Sequence, residues 1–155
     1  AVEFFQQLVA LENRIVDAVR SFREFVNVHT ERIFLVGCGS AATSALKVLS
    51  HQPNWFAGSV SFSGSYPKAN ELIGHRSLSG KRVFLSVPAG PTNWQAEQDT
   101  QHAARMLIAS GAEVTTRYQT KSVSRFGEQE RQLVSDQALR DVDDWVISGL
   151  FEPQR

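Results

Sequence analysis

Apolar residues recur along the chain with two spacings, one typical of helices and one of buried strands. Between Phe4 and Val26 they return every three or four positions, which predicts an amphipathic helix of several turns. Short apolar runs predict buried strands at 33–36, 57–63, 82–87 and 113–118. Further helices are predicted at 40–50, 95–110 and 133–150. Strands that alternate with helices predict an α/β fold, in which a parallel sheet of about four strands carries helices on both faces.

Turn residues bound these elements and indicate where a binding site would lie. Pro53 ends the second helix, and Gly111 is the glycine expected just past the end of the third. A long polar connection at 64–80 separates the second strand from the third. In a parallel sheet, sites lie at the carboxyl ends of the strands. Here those ends are residues 37–40, 63–66, 87–93 and 119–124.

The composition predicts one globular domain over residues 1–155, of which 42% are hydrophobic and 21% charged, with a net charge of zero. Balanced charge gives no electrostatic reason for nucleic acid or an anionic membrane as partner. No apolar run approaches the roughly 18 residues that span a bilayer. The lone Cys38 excludes an internal disulfide and favours a reducing, cytoplasmic setting. Because the chain begins with Ala1, we expect a fragment or a processed product.

The stretch RIFLVGCGSAATSA, residues 32–45, carries the strongest chemical signal. An apolar strand runs into a tight turn of small residues, and a helix follows at once. Enzymes of the α/β class use this arrangement to hold a phosphate or to present a nucleophile. The turn therefore has three interpretations.

Two of them make the turn a binding site for a nucleotide or a sugar phosphate. Residues 37–42 fit the dinucleotide fingerprint G-x-G-x-x-A, but no acidic residue lies between Glu31 and Glu71 to hold the ribose. A sugar-phosphate isomerase (SIS) type domain has a similar strand and Gly-Ser turn, and needs a second phosphate loop. Residues 86–92, SVPAGPT, are a poor version of that loop because proline lacks the backbone donor.

The third interpretation is the nucleophile elbow of a hydrolase, which is the sharp turn between a strand and a helix that presents the nucleophile. Here several segments of the chain resemble one family. RIFLVGCGSAATSALKVL resembles the elbow of the phospholipase/carboxylesterase family of serine esterases, in the α/β-hydrolase superfamily, where a strand runs into Gly-Phe-Ser-Gln-Gly-Gly and a helix. FAGSVSFSGSYP, residues 56–67, resembles the next strand with its Ser-Gly-x-x-Pro turn. Residues 79–87, 109–118 and 140–146 match the later strands and the last helix in order and spacing. The resemblance implies the C-terminal half of that fold, without the earlier strands and their oxyanion loop.

Carried over to this chain, the family's catalytic triad has lost its reactive side chains. The nucleophile falls on Gly39, the acid loop on 91–93, and the histidine near Ser122. The resemblance thus implies a pseudo-esterase that needs no cofactor or metal and serves as a scaffold or binds a small molecule or a protein. Its remnant pocket is expected at Cys38, Gly39, Ser40, Asn93, Trp94 and Ser122.

Neighbouring residues are candidates to replace the lost groups. Ser40, one position after Gly39, is the fallback nucleophile of an active esterase. Alternatively, an active esterase takes its missing groups from another segment or subunit. If Ser40 is not a nucleophile, we expect it to cap the helix. Cys38 sits beside the helix start, where a thiol can be activated, but without a placed histidine we expect a buried structural thiol. The histidines, expected at the surface, are His29, His51, His75 and His102.

Two further expectations concern surfaces. Asp141, Asp143 and Asp144 are expected on a solvated face of the last helix. Without earlier strands, the strand at 33–36 lies at a sheet edge with unpaired backbone groups. We expect this edge to be covered by an N-terminal segment, by self-association or by the long first helix.

Overall fold

One parallel sheet organises the molecule, and the computed structural model describes residues 2–62, 77–88, 94–119 and 136–151 of it. The strands are β1 (Phe34–Cys38), β2 (Gly58–Phe62), β3 (Arg82–Pro88) and β4 (Glu113–Gln119), in the order β1-β2-β3-β4. The helices are α1 (Val2–Phe25), α2 (Ser40–His51), α3 (Trp94–Ala109) and α4 (Asp136–Phe151). Short 3-10 turns lie at Thr30–Arg32 and Pro53–Trp55. The predicted α/β fold is confirmed.

β1 differs from its prediction because it continues through two residues that the sequence assigned to the turn. Gly37 pairs with Ser61 and Cys38 with Phe62 in the parallel ladder with β2. A Cβ added at Gly37 would lie 2.5 Å from the Ala41 carbonyl oxygen. Glycine is therefore required there for close packing of helix on strand, and the turn itself contracts to one residue.

Helices cover both faces of the sheet, as the alternation predicts. On the face that we call the α2 face, α2 and α3 pack on inward residues of the strands. The buried side chains there include Leu46, Val48, Leu49, Phe56, Val83, Leu85, Ala103 and Leu107. The opposite face, which we call the α4 face, buries Val60, Phe62, Phe84, Ala138 and Trp145.

Helix α1 lies on the α2 face. Ile15 and Val19 pack against the same core as Ile33 and Leu35 of the β1 region. The helix is also fixed by a polar contact, in which Nδ1 of His51 lies 2.6 Å from Oε1 of the buried Glu12. Together these contacts join α1 to the core of the α2 face and to the end of α2.

Helix ends and connections follow the turn signals where the structure describes them. Gly111 has φ +94°, the left-handed conformation expected of the glycine past a helix end. The predicted connection at 64–80 and the beginning of the helix at 133–150 lie mostly outside the described residues.

Within the described part of the chain, no helix is long and apolar enough to cross a membrane.

Candidate functional site

A sharp strand-to-helix elbow stands at the carboxyl end of β1. Gly39 separates β1 from α2 and adopts φ 58° and ψ −126°. Its N–H donates to the Phe62 carbonyl at 2.9 Å, and its own carbonyl accepts from the Ala42 N–H at 3.1 Å. These bonds hold the tip between β2 and the first turn of α2. In a nucleophile elbow, a sharp strand-to-helix turn of this kind exposes the residue at its tip.

The tip has room for a side chain and carries none. Among the residues that the structure describes, a Cβ built on Gly39 meets no atom within 4 Å. The turn between β1 and α2 therefore carries no side chain at its tip.

Ser40 is the first residue of α2 and is exposed. The prediction that it caps the helix is wrong, because the N-cap position belongs to Gly39. The tip residue takes that position since its φ and ψ are not helical. The N–H groups of a first helical turn have no intrahelical acceptor, so the elbow keeps donors at this end of α2.

Cys38, the last residue of β1, is a half-buried free thiol. Burial raises the pKa of this thiol above its ordinary value of 9.0, and a backbone hydrogen bond with Gly39 acts weakly in the opposite direction. The thiol therefore stays protonated near neutral pH. A protonated thiol is a packing group rather than a nucleophile.

Of the other predicted pocket residues, the structure describes Trp94 but not Asn93 or Ser122. Trp94 is exposed at the start of α3. Asn93 and Ser122 lie outside the described residues.

The histidines that the structure describes have other surroundings. His29, just before a 3-10 turn at the amino end of β1, and His102, in α3, are exposed. His51 is not the surface histidine that the sequence predicted, since it is half-buried at the far end of α2 against Glu12. The signal that could have shown this pair is Glu12 itself, a carboxylate within the apolar stripe of α1. His75 lies outside the described residues.

A polar groove between β4 and α4 was missed by the sequence analysis. It has a volume of about 570 Å³ and lies on the α4 face. Its lining residues are Arg82, Phe84, Glu113, Thr115, Arg117, Asp141, Asp144, Trp145 and Ser148. Asp141 and Asp144, predicted on a solvated helix face, therefore flank this groove. In the described part of the chain, no three metal-ligating side chains come together.

Known structures share this architecture over nearly the whole chain. The carboxylesterase of Bacillus cereus superposes with a TM-score of 0.65 at 16% identity, covering 92% of this chain and 62% of that one. The carboxylesterase of Mesorhizobium loti gives 0.69 at 12% identity, over 92% of this chain and 62% of the other. The chain has the α/β-hydrolase fold of the carboxylesterases.

YahD, which was solved with malic acid, also superposes on this chain. The TM-score is 0.61 at 16% identity, covering 93% of this chain and 64% of YahD. The chain thus spans less than two thirds of the length of these structures. The sequence matches no protein-family model and no curated protein. The similarity of this chain to the three solved structures is therefore a similarity of three-dimensional fold.

Proposed function

We propose that this chain is a pseudo-esterase, which keeps the elbow of the esterase fold but does not cleave esters with it. The observation that carries the proposal is Gly39, which has the backbone conformation of an elbow tip and no side chain. Its role is then to bind a small molecule or a protein, or to act as a scaffold.

The neighbours of the tip support this proposal because neither is equipped to replace a nucleophile. The Cys38 thiol has a raised pKa, so little thiolate is present at neutral pH. Ser40 belongs to the first turn of α2, and the nearest histidine along that helix, His51, lies at its opposite end. Loss of nucleophile and base together removes about 10⁶ in turnover.

The elbow suggests what kind of ligand to test first. A helix N-terminus offers backbone N–H groups and a partial positive charge, which favour an anion. YahD, which shares the fold, has been solved with malic acid. Small carboxylates are therefore the first compounds for thermal-shift screening, with nucleotides and sugar phosphates as the alternative ligand classes.

The test of lost catalysis is covalent labelling of the purified chain with a fluorophosphonate probe, together with hydrolysis of p-nitrophenyl esters. We expect no labelling and no turnover above that of Ser40→Ala, while an active serine esterase is labelled in parallel. The decisive contrary result is labelling mapped to Ser40 by mass spectrometry and absent from Ser40→Ala. That result would make the chain an active hydrolase with a displaced nucleophile.

A further inference from the structure

The polar groove between β4 and α4 brings together charged side chains that do not pair with one another. Glu113 and Arg117 stand on its β4 wall, and Asp141 and Asp144 on its α4 wall. Among the residues that the structure describes, no hydrogen bond or ion pair engages the side chains of Glu113, Arg117 or Asp144. The groove has a volume of about 570 Å³, within the range of about 300–1,000 Å³ that is usual for small-molecule sites.

The second guanidinium of the groove is already engaged within the fold. The guanidinium of Arg82 lies 4.3 Å from the centroid of the Trp145 ring and donates to the Trp145 carbonyl at 2.7 Å. These contacts hold Arg82 against α4 and leave Arg117 as the guanidinium that can bind a ligand. Two guanidiniums and three carboxylates line the groove, which gives it a net charge of −1. A ligand of positive net charge is therefore favoured.

The charges are ordered along the groove because α4 runs against the direction of the strands. Gly149, near the end of α4, shares a small cavity with the residues that come just before β3. Trp145, one turn earlier, donates its indole N–H to Oγ1 of Thr115, in the middle of β4, at 3.1 Å. The preceding turn of α4, which carries Asp141 and Asp144, therefore lies toward the carboxyl end of β4.

The two ends of the groove thus offer different charges. At the carboxyl end of β4, the Arg117 cation and the aspartates of α4 lie in the same part of the groove, which can hold an anion and a cation side by side. Glu113 precedes Arg117 by four residues, about 13 Å along the strand. An α-amino acid has a carboxylate and an ammonium group on one carbon atom. A cationic side chain adds a second ammonium or guanidinium group at a distance from them.

We propose that this groove binds a free α-amino acid with a cationic side chain, such as lysine. The carboxylate of the ligand accepts from the Arg117 guanidinium, and its α-ammonium donates to Asp141 and Asp144. Its side-chain ammonium donates to Glu113. One oxygen of Asp141 already accepts from Gln137 at 2.8 Å, and a carboxylate has further acceptor sites for the ligand. The net charge of such an amino acid, one positive unit, is opposite to that of the groove.

The proposed site is separate from the elbow. It lies on the α4 face, whereas the elbow leads into α2 on the opposite face of the sheet. Its three charged walls are exposed in this chain, at Glu113, Arg117 and Asp144, so a ligand in solution can reach them. Because exposed charges are screened by salt, binding is expected to weaken as ionic strength rises. Failure of this proposal would leave the pseudo-esterase proposal unchanged.

The first test is a heteronuclear NMR titration of the isotope-labelled chain with L-lysine. We expect saturable shifts of the backbone N–H signals of Thr115, Arg117 and Asp144. Three analogues each lack one charge: norleucine lacks the side-chain ammonium, cadaverine the carboxylate and Nα-acetyl-lysine the α-ammonium. Each should bind about fivefold more weakly than lysine, the effect of one exposed charge pair. No saturable shift in the groove, or equal affinity for lysine and all three analogues, would overturn the proposal.

The second test assigns each charge of the ligand to a residue. Arg117→Gln should bind lysine and cadaverine equally, because the group that recognises the carboxylate is gone. Glu113→Gln should likewise bind lysine and norleucine equally. Arg105→Gln, at an exposed position of α3, is the matched control and should keep both preferences. Circular dichroism verifies that the variants are folded. A folded Arg117→Gln that prefers lysine over cadaverine as strongly as the wild type would contradict the assignment.

Discussion

Two glycines at the elbow serve different physical purposes. Gly37 is needed for space, since a Cβ there would meet the backbone of Ala41 and Ala42 at 2.5 Å. Gly39 is needed for conformation, since its φ of +58° is unfavourable for any residue with a side chain, although the space around it is open. A serine in this position in an active esterase must bear that strain, which glycine avoids.

Substitution of the two glycines should therefore cost stability in a defined order. We expect Gly39→Ala to lower the free energy of unfolding by about 1–3 kcal/mol, the usual range for a residue held in a sparsely populated conformation. Gly37→Ala should cost about 3 kcal/mol or more, because backbone must move to accept the methyl group. Urea unfolding measures both. A Gly39→Ala variant as stable as the wild type would contradict the left-handed conformation of the tip.

Cys38 allows a prediction of reactivity because it is the only cysteine. Burial raises its pKa, so at one mildly alkaline pH iodoacetamide should alkylate the folded chain more slowly than the chain unfolded in guanidinium. The raised pKa also affects the free energy of unfolding. The neutral thiol favours the folded state, and its contribution to stability is lost as the pH rises through the raised pKa of the folded chain. Mass spectrometry follows the alkylation. Faster alkylation of the folded chain would show an activated thiol.

At the scale of elements, α1 and α4 are each held in place by polar contacts in addition to their apolar packing. Trp145 of α4 packs against Phe34 and Phe84 with ring centroids 5.5 Å apart, and its indole N–H donates to Oγ1 of Thr115 at 3.1 Å. The guanidinium of Arg82 lies over the same ring and donates to the Trp145 carbonyl at 2.7 Å. α1 is fixed by the contact between Glu12 and His51.

The contact that fixes α1 can be tested with a matched pair of histidines. His51→Ala removes the partner of a buried carboxylate and should lower the free energy of unfolding by about 1–3 kcal/mol. His102→Ala, at an exposed position of α3, should change it by less than about 0.5 kcal/mol. Denaturant unfolding followed by circular dichroism measures both variants. Equal values would show that the contact contributes nothing to the docking of α1.

At the scale of the whole molecule, the two outer strands of the described sheet differ in charge. The β4 edge carries Glu113 and Arg117, which also line the groove beside α4. The β1 edge carries the elbow at its carboxyl end and apolar surface along its length. β4 therefore carries the charges that protect an exposed strand against pairing, and β1 does not.

Removal of the charges from β4 should make that edge associate with other strands. We expect Glu113→Val combined with Arg117→Val to aggregate during mild heating, seen as increased light scattering, because an uncharged edge pairs with other strands. The control is Arg23→Val combined with Glu24→Val, which removes the same two charges from exposed positions of α1. Similar scattering by both double variants would show that overall hydrophobicity, rather than the edge, is responsible.

The fold could be predicted largely from local patterns, whereas the site could be predicted only in part. Apolar spacing located the strands and helices because strand and helix periodicities differ. The tip at Gly39 was predicted through the resemblance of the elbow segment to a family. Two features were not predicted, the half-buried position of His51 and the polar groove between β4 and α4. Each depends on residues from distant parts of the chain.

The sequence by itself determined the α/β class, the order of the elements and the absence of a reactive side chain at Gly39, because these depend on residue identity and on spacing along the chain. Only the tertiary structure decided that β1 continues through Gly37 and Cys38, and that Gly39 rather than Ser40 takes the N-cap position of α2. These features arise from pairing with β2 and from the close approach of α2 to β1. Such contacts join segments whose proximity exists only in the folded chain.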